Sequence, residues 1–486
     1  MMPRPILINR DFTCLWVGQA VSSVGAAVFS TTLVLWVATD LARGETWAPM
    51  AVSGVLLATG AAVLVIGPLA GVFVDRWDKR ATMLRTESLR AVLVAVLALF
   101  ACLPTSALPV GAWLGLIYLT VLALHAAAQF FTPARFAIIA DLVTGEADRA
   151  RAAGITQATS QTAWIIGPPL AAPLLFTAGV QWALFGNALA YVVSYLAVRA
   201  VRAPRRETVT VGRDGAEPLG TEEPAAEEPA VERKSLRGEF VAGLRFFAGS
   251  RFLVVLLTLA VIGQLGVGAL ETLNVFFFTE NLGAPAELYG YIGTAMGLGG
   301  ITGALCSGRV VQWIGARRTT WISLLVSGVL LIAYSRQTGF VGGVALLFCF
   351  AVPLTMLNTA MAPLLLAAAP PAYRGRVLAV FYPVTRLAAM LAALVSGWLA
   401  GSLLRDVELS VAGASFGTMD MIFAVSGLFV VASGVYARFA LPDTDTAPDP
   451  GPDSAPAPAP DPGKARSAEG PPTEREGVPG VRPGGG

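Results

Sequence analysis

Apolar stretches long enough to cross a bilayer recur along this chain. They run near Phe12 to Ala38, Met50 to Val74, Thr82 to Leu103, Gly111 to Phe131, Ile155 to Phe176 and Val180 to Val198. The series resumes with Phe252 to Thr279, Tyr289 to Ile314, Thr319 to Tyr334, Val341 to Ala369, Val377 to Leu404 and Phe416 to Leu441. Most reach the ~20 residues a spanning helix needs. Hydrocarbon offers no water to pair with N–H and C=O groups, so such runs predict helices whose backbone bonds close within each segment. Charged residues are 14% of the chain and apolar ones 55%, against roughly 25% charged in soluble domains. The expected fold class is an all-α membrane protein with about twelve transmembrane helices. Arg4 and Arg10 precede the first run, which is too long for a signal-peptide core and lacks a small-residue cleavage site, so it is read as the first helix.

Residues 201–236 break the pattern. Pro, Glu, Arg and Thr dominate there, with Glu222 to Glu228 at the centre. Such a composition cannot bury a core, and it reads as a disordered linker between an N-terminal six-helix half (1–200) and a C-terminal one (237–441). An amphipathic stretch, Ser235 to Ser250, introduces the second half with Leu236, Phe240, Leu244 and Phe247 at helical spacing, as in a helix lying on a membrane surface. From 442 to 486 Pro, Asp, Ala and Gly prevail, and a disordered tail is expected.

A net charge of +2 gives no case for nucleic acid. Cys14, Cys102, Cys306 and Cys349 lie in or beside apolar runs without CxxC spacing, and His125 is the single histidine. Neither a disulfide framework nor a metal site is expected, and no cofactor. Lys464 follows a glycine, but Ala465 stands where a phosphate loop needs Ser or Thr. Gly297 to Gly303 approaches a dinucleotide fingerprint with the wrong spacing inside an apolar run, and close helix packing accounts for it. The chain is not read as an enzyme.

Basic residues set the expected orientation. Arg76, Lys79, Arg80, Arg135, Arg149, Arg151, Arg317, Arg318, Arg374 and Arg376 fall on one side, against Arg43, Arg336 and Arg405 on the other. The first side, with both termini, is expected to be cytoplasmic in a cell membrane. One junction on that side, Gly67 to Arg80, ends an apolar run in Asp75-Arg76-Trp77-Asp78-Lys79-Arg80. Its spacing returns with Gly308 for Gly71, Gln312 for Asp75, Gly315 for Asp78 and Arg317 for Arg80. The repeat implies an internal duplication into two pseudo-symmetric six-helix halves.

From Arg10 to Leu441 the chain resembles the major facilitator superfamily, and within it the branch of macrolide-efflux-type and enterobactin-exporter-type proteins. Asp75 to Arg80 carries most of the resemblance, with Asp78 where the wider superfamily has glycine; Phe12 to Gly25, Phe131 to Arg135, Gly167-Pro168 and Tyr373 to Val377 support it. The resemblance implies a central cavity lined mainly by the first, fourth, seventh and tenth helices, and alternating access. It also implies a cytoplasmic gate. Asp75 would latch onto the N-terminus of the eleventh helix near Val377, where unpaired N–H groups favour an anion. Gly71, Arg76, Asp78, Lys79 and Arg80, with Gly308, Gln312 and Arg317, complete this gating motif. The chain departs from relatives in three places: Ala26 follows Gly25 where many have an acid, alanines follow Gly167-Pro168 in the fifth helix, and the fourth helix lacks a common arginine. A relative's proton site therefore does not transfer.

A carboxylate inside the seventh run, Glu271, costs about 2.5–3.5 kcal/mol unless it meets water, a partner or a cavity. It is the first candidate for proton coupling and for drawing a cationic substrate, with a packing role or a place near the outer mouth as alternatives. His125 in the fourth run is the second candidate. Gln19, Ser22, Gln129, Asn274, Thr355 and Asn358 are polar positions on cavity helices able to hydrogen-bond either a substrate or another helix. Trp16 and Phe276 to Phe278 are candidate cavity walls or lipid-facing aromatics. Glu87 and Arg90, one turn apart, read as a structural pair. Arg386 and Asp420, on helices away from the cavity, are assigned to pairing between helices. The expected function is a proton-coupled exporter (antiporter) of small amphipathic organic molecules such as drugs, antibiotics or siderophores, embedded in the bilayer and working as a monomer. The alternatives are a lipid or nutrient transporter of the same fold and a non-transporting membrane sensor or scaffold.

Overall fold

The computed structural model describes residues 8–74, 76–201, 245, 247–368, 374–404, 407, 409–411 and 414–441. Six helices come first: α1 (Arg10–Trp36), α2 (Ala48–Val74), α3 (Lys79–Phe100), α4 (Val110–Leu142), α5 (Glu146–Pro173) and α6 (Val180–Ala200). The second series opens with α7 (Arg251–Phe276). The stretch Gly290–Ser335 then breaks at Gly315, whose φ of 82° suits glycine alone. It forms α8 (290–314) and α9 (316–335). After α10 (Phe340–Ala367) and α11 (Arg374–Trp398), a small hairpin pairs β1 (Leu409–Val411) with β2 (Ala414–Phe416) ahead of α12 (Thr418–Ala440). The apolar pattern, which placed the start of the last helix near Phe416, gave no sign of this hairpin.

Among the described residues nine helical stretches are long and apolar enough to cross a membrane, one of them holding both α8 and α9. α3 falls short because it opens with Lys79, Arg80, Arg85, Glu87 and Arg90, and α5 because Gln157, Gln161, its Thr and Ser residues and Pro168, Pro169 and Pro173 keep its mean hydropathy low. With these two, the long helices among the described residues number twelve, and the chain is a multi-pass membrane protein. Of the expected linker, 201–236, all but Val201 lies outside the described residues, as does the tail, 442–486. So does most of the amphipathic stretch, of which Arg245 and 247–249 are helical.

Side chains start several helices where the sequence places them. Asn9 accepts from the Phe12 N–H at 2.7 Å, Asp78 from Ala81 at 2.6 Å and Ser250 from Leu253 at 3.4 Å, each pairing a first-turn donor that has no partner within the helix. Four helices widen at their other end into π-turns: Val37–Leu41 after α1, Leu174–Ala178 after α5, Phe277–Asn281 after α7 and Leu399–Leu403 after α11. Bonds five residues apart close them, Ala42 N–H to Val37 O at 2.9 Å and Leu282 N–H to Phe277 O at 3.0 Å among them. α1 and α7, like α5 and α11, stand six helices apart, the same offset as the repeated junction.

Glycines let helices approach one another on α8. A Cβ on Gly299 would lie 2.3 Å from Phe348 O, and one on Gly303 2.5 Å from Val352 O, both on α10. The near-fingerprint Gly297 to Gly303 is thus a packing surface. Phe277 packs tilted at 4.8 Å on Tyr334 and edge-on at 5.2 Å on Phe423, and Phe276 to Phe278 are all buried. Phe277 and Phe278 fill the interior of the second half, while Phe276 packs with the core of the first and lines an open cavity beside Ala38 and Pro49.

Candidate functional site

The ends of α2, α3, α8 and α9 that bear Arg76, Lys79, Arg80, Arg317 and Arg318 define a basic side of the molecule; the opposite ends define the far side. On the basic side Asp78 caps α3 and Lys79 pairs with Asp141 of α4 at 3.5 Å. Arg80 donates from Nη2 to Arg199 O and from Nε to Val198 O, at the last turn of α6. Arg317 donates to Arg438 O, 3.2 Å away in the last turn of α12. The two arginines matched by spacing thus bond to equivalent helix ends in the two halves. Arg76, Gly308 and Gln312 are exposed. Asp75, the centre of the expected latch, lies outside the described residues, as do 369–373 ahead of α11.

The halves meet on the far side. Thr294 Oγ1 on α8 donates to Ile165 O on α5 at 3.2 Å, and Ser53 Oγ on α2 to Ala393 O on α11 at 2.8 Å. Backbone closeness surrounds both bonds. A Cβ on Gly293 would stand 2.4 Å from Pro168 Cγ, one on Gly297 2.2 Å from Ile165 Cγ1, and one on Gly397 2.2 Å from Ser53 Oγ. Gly167, the partner of Pro168, is set against Ala27 of α1, where a Cβ would lie 2.4 Å from that methyl. Outside this closure an open vestibule of about 700 Å³ is lined from both halves by Arg43, Glu45, Thr46, Glu280, Glu287 and Thr418.

Toward the basic side, α7, α10 and α11 enclose a cavity of about 330 Å³ that includes Gln264, Asn358, Tyr382 and Thr385. Glu271 continues the stripe of α7 formed by Gln264 and Val267, one turn on. Its side chain is solvent-accessible although Leu270 and Thr272 beside it are buried. Arg386, one turn beyond Tyr382, lies within electrostatic reach of Glu271 and also of His125 on α4. For the interhelical pairing assigned to Arg386, Glu271 of α7 is the opposite charge within reach.

His125 also lies within reach of Arg90, which leads into a buried polar cluster of the first half. Glu87 is 0% exposed, its Oε1 3.7 Å from Arg90 Nη1, and it accepts a 3.1 Å bond from Ser194 of α6. Gln19 of α1 donates in turn to Ser194 at 2.8 Å. The Arg90 guanidinium lies over Tyr191 at 4.9 Å and Phe131 at 5.5 Å. Arg135 is electrostatically coupled to both Glu87 and Arg90 and borders a narrow slot with Trp16, Gln19, Ser23, Thr156 and Thr159. The apolar run expected for the fourth helix ended at Phe131 and left Arg135 to a loop of the basic side; α4 instead runs on to Leu142 and carries Arg135 near its basic-side end.

The other candidates separate. Asn358 is exposed to the cavity, and Gln129 is half-buried, bonded to His125 O one turn away. Asn274 is buried and accepts from the Tyr334 hydroxyl on α9, so it joins helices and does not face the cavity. Thr355 bonds to Ala351 O and packs on Gly303. Ser22 is buried on α1. Asp420 accepts from Asn281 at 2.6 Å, lies 3.5 Å from Arg336 and caps its own helix. Gln264 and Tyr382 went unnoticed; the i, i+7 relation of Gln264 to Glu271 was the available signal.

A family model described as Major Facilitator Superfamily matches residues 15–278 and 256–472. Macrolide efflux protein A of Streptococcus pyogenes is 28% identical over 194 residues, 40% of this chain and 45% of the relative. Multidrug resistance protein 1 of Bacillus subtilis (strain 168) is 23% identical over 282 residues, 57% of this chain and 62% of the relative. The chain thus spans about half the length of these curated relatives. Among solved structures, the nucleoside transporter NupG superposes with a TM-score of 0.61 at 11% identity over 89% of this chain and 99% of that one. A D-xylose–proton symporter gives 0.63 at 14% identity over 89% and 97%. These structural likenesses speak for the fold. With two halves of six helices and a family match across nearly the whole helical region, the chain belongs to the Major Facilitator Superfamily.

Proposed function

We propose that this transporter is a proton-coupled exporter of amphipathic organic molecules, taking them from the cytoplasm or inner leaflet and releasing them outside in exchange for protons. The observation that carries the reading is the closure of the two halves on the far side, with a largely apolar cavity that holds Gln264 and Asn358 nearer the basic side. With the basic side in the cytoplasm, that arrangement is an inward-open state ready to load substrate from within. The names of the efflux relatives support this direction. Proton entry is sufficient as a source of energy: one charge crossing ~100 mV supplies about 2.3 kcal/mol, roughly 40-fold accumulation. Glu271 is assigned the coupling role because it is an accessible carboxylate on α7, one turn beyond the cavity residue Val267, and His125 a supporting one.

Uptake of a labelled drug into inverted vesicles, with and without an imposed pH gradient, tests the proposal. Stimulation by the gradient is expected in the wild type and not in Glu271→Gln, while His125→Asn shifts the pH optimum only. Gradient-independent uptake in the wild type would remove the coupling. Complete loss of coupling in His125→Asn alone would move it to α4.

A further inference from the structure

Hydrocarbon makes up most of the wall of the cavity between α7, α10 and α11, where Leu259, Val267, Leu357, Met361 and Phe381 face inward. Its volume of about 330 Å³ lies at the lower end of the range for small-molecule sites, roughly 300–1,000 Å³. Each of the three helices adds one polar side chain with bonding capacity to spare. Gln264 comes from α7, Asn358 from α10 and the Tyr382 hydroxyl from α11, and none of the three hydrogen-bonds to another described residue. Thr385 differs, because its hydroxyl is spent on Phe381 O and Tyr382 O at 3.0 Å each. Among the described residues no charged side chain lines this cavity: Glu271 stands one turn past Val267 and Arg386 follows Thr385, both beyond the lining. An ion entering there gives up water for hydrocarbon without meeting an opposite charge, at a far higher cost than a neutral polar group incurs. A neutral group also recovers its hydrogen bonds, since the two carboxamides offer donors and acceptors and the phenol can act as either.

We propose that this cavity selects amphipathic molecules by an uncharged polar group, an amide or ester, held by Gln264, Asn358 and Tyr382 while the apolar remainder packs on Leu357, Met361 and Phe381. The proposal rests on the transport reading above and names its substrate class. It replaces the expectation that Glu271 draws a cation: the substrate makes no claim on that carboxylate, which is left to handle the proton. Because it concerns equilibrium binding, it is independent of the direction and coupling of transport.

Three forms of one dye provide the probe: a diethylaminocoumarin bearing a primary carboxamide, a carboxylate or a trimethylammonium group. Binding is measured by fluorescence anisotropy at about pH 8, where the carboxylate is ionised, on full-length protein in phosphatidylcholine nanodiscs without any gradient. Protein-free nanodiscs correct for partition into lipid. The carboxamide should bind at least about tenfold more tightly than either charged form. Gln264→Leu and Asn358→Leu should each weaken it by about tenfold, and Tyr382→Phe, which keeps the ring in place, by severalfold. Altered packing would not change the preference among charges, whereas Gln264→Glu supplies the counter-charge that the lining lacks and should favour the trimethylammonium dye over the carboxamide. If Gln264→Glu does not fold, Asn358→Leu and Tyr382→Phe decide. Equal or tighter binding of a charged dye by the wild type, binding of none of the three, unchanged carboxamide affinity in the folded Leu or Phe variants, or an unchanged order in folded Gln264→Glu would overturn the proposal. Carboxamide dye that binds as expected yet is not carried into inverted vesicles would instead overturn the export reading and leave this one standing.

Discussion

Glu87 carries no exposed surface and shares its carboxylate between Arg90 and Ser194, which makes its charge a condition of stability. Glu87→Gln keeps the shape and leaves Arg90 buried beside an uncharged partner, so it should destabilise the protein by about 3 kcal/mol. Arg90→Gln should cost as much. The double variant should lose clearly less than the two singles added together, because neither charge is then stranded. Thermal unfolding of the purified protein in detergent checks this; additive losses would mean that the two residues act independently. Spacing alone made this pair legible, since residues three apart on a helix are neighbours. Its connection to Gln19, Ser194 and Arg135 was not legible, because it depends on which helices lie side by side.

Equivalent elements in the two halves invite matched tests. Arg80 and Arg317 each bind carbonyls at the last turn of the sixth helix of their half, and such bonds satisfy groups that the helix leaves unpaired. Arg80→Ala and Arg317→Ala should each cost about 1 kcal/mol, read as similar falls in melting temperature. A large loss in one and none in the other would break the equivalence. The repeated glycine and arginine spacing of the two junctions foretold this likeness. It did not foretell the far-side contact of α8 on α5, because the packing glycines of α8 do not say which helix lies opposite each of them. Gly293→Leu should wedge that contact apart, since Pro168 occupies the space a side chain needs. In a background cleared of Cys14, Cys102, Cys306 and Cys349, a cysteine replacing Ser53 should then react with a water-soluble maleimide roughly tenfold faster. Unchanged reactivity would show that the wedge is absorbed locally.

For the molecule as a whole, twelve spans and two halves were readable because hydrocarbon leaves the backbone so few options. Individual cavity residues were harder to read, as Asn274 and Asn358 show: both are amides on expected cavity helices, and the first ties α7 to Tyr334 whereas the second opens to the cavity. Truncation after Leu441 should leave transport and membrane abundance near normal, because residues 442–486 contain no apolar run able to join the bundle. Normal abundance with lost transport would assign the tail a role of its own.

The four π-turns follow α1 and α5 in the first half and α7 and α11 in the second, and π-turns are a common way for a helix to end. Each lends a residue to the vestibule: Thr39, Phe176, Glu280 and Ala400 in turn. The outer mouth is therefore framed by one kind of widened helix end used twice in each half.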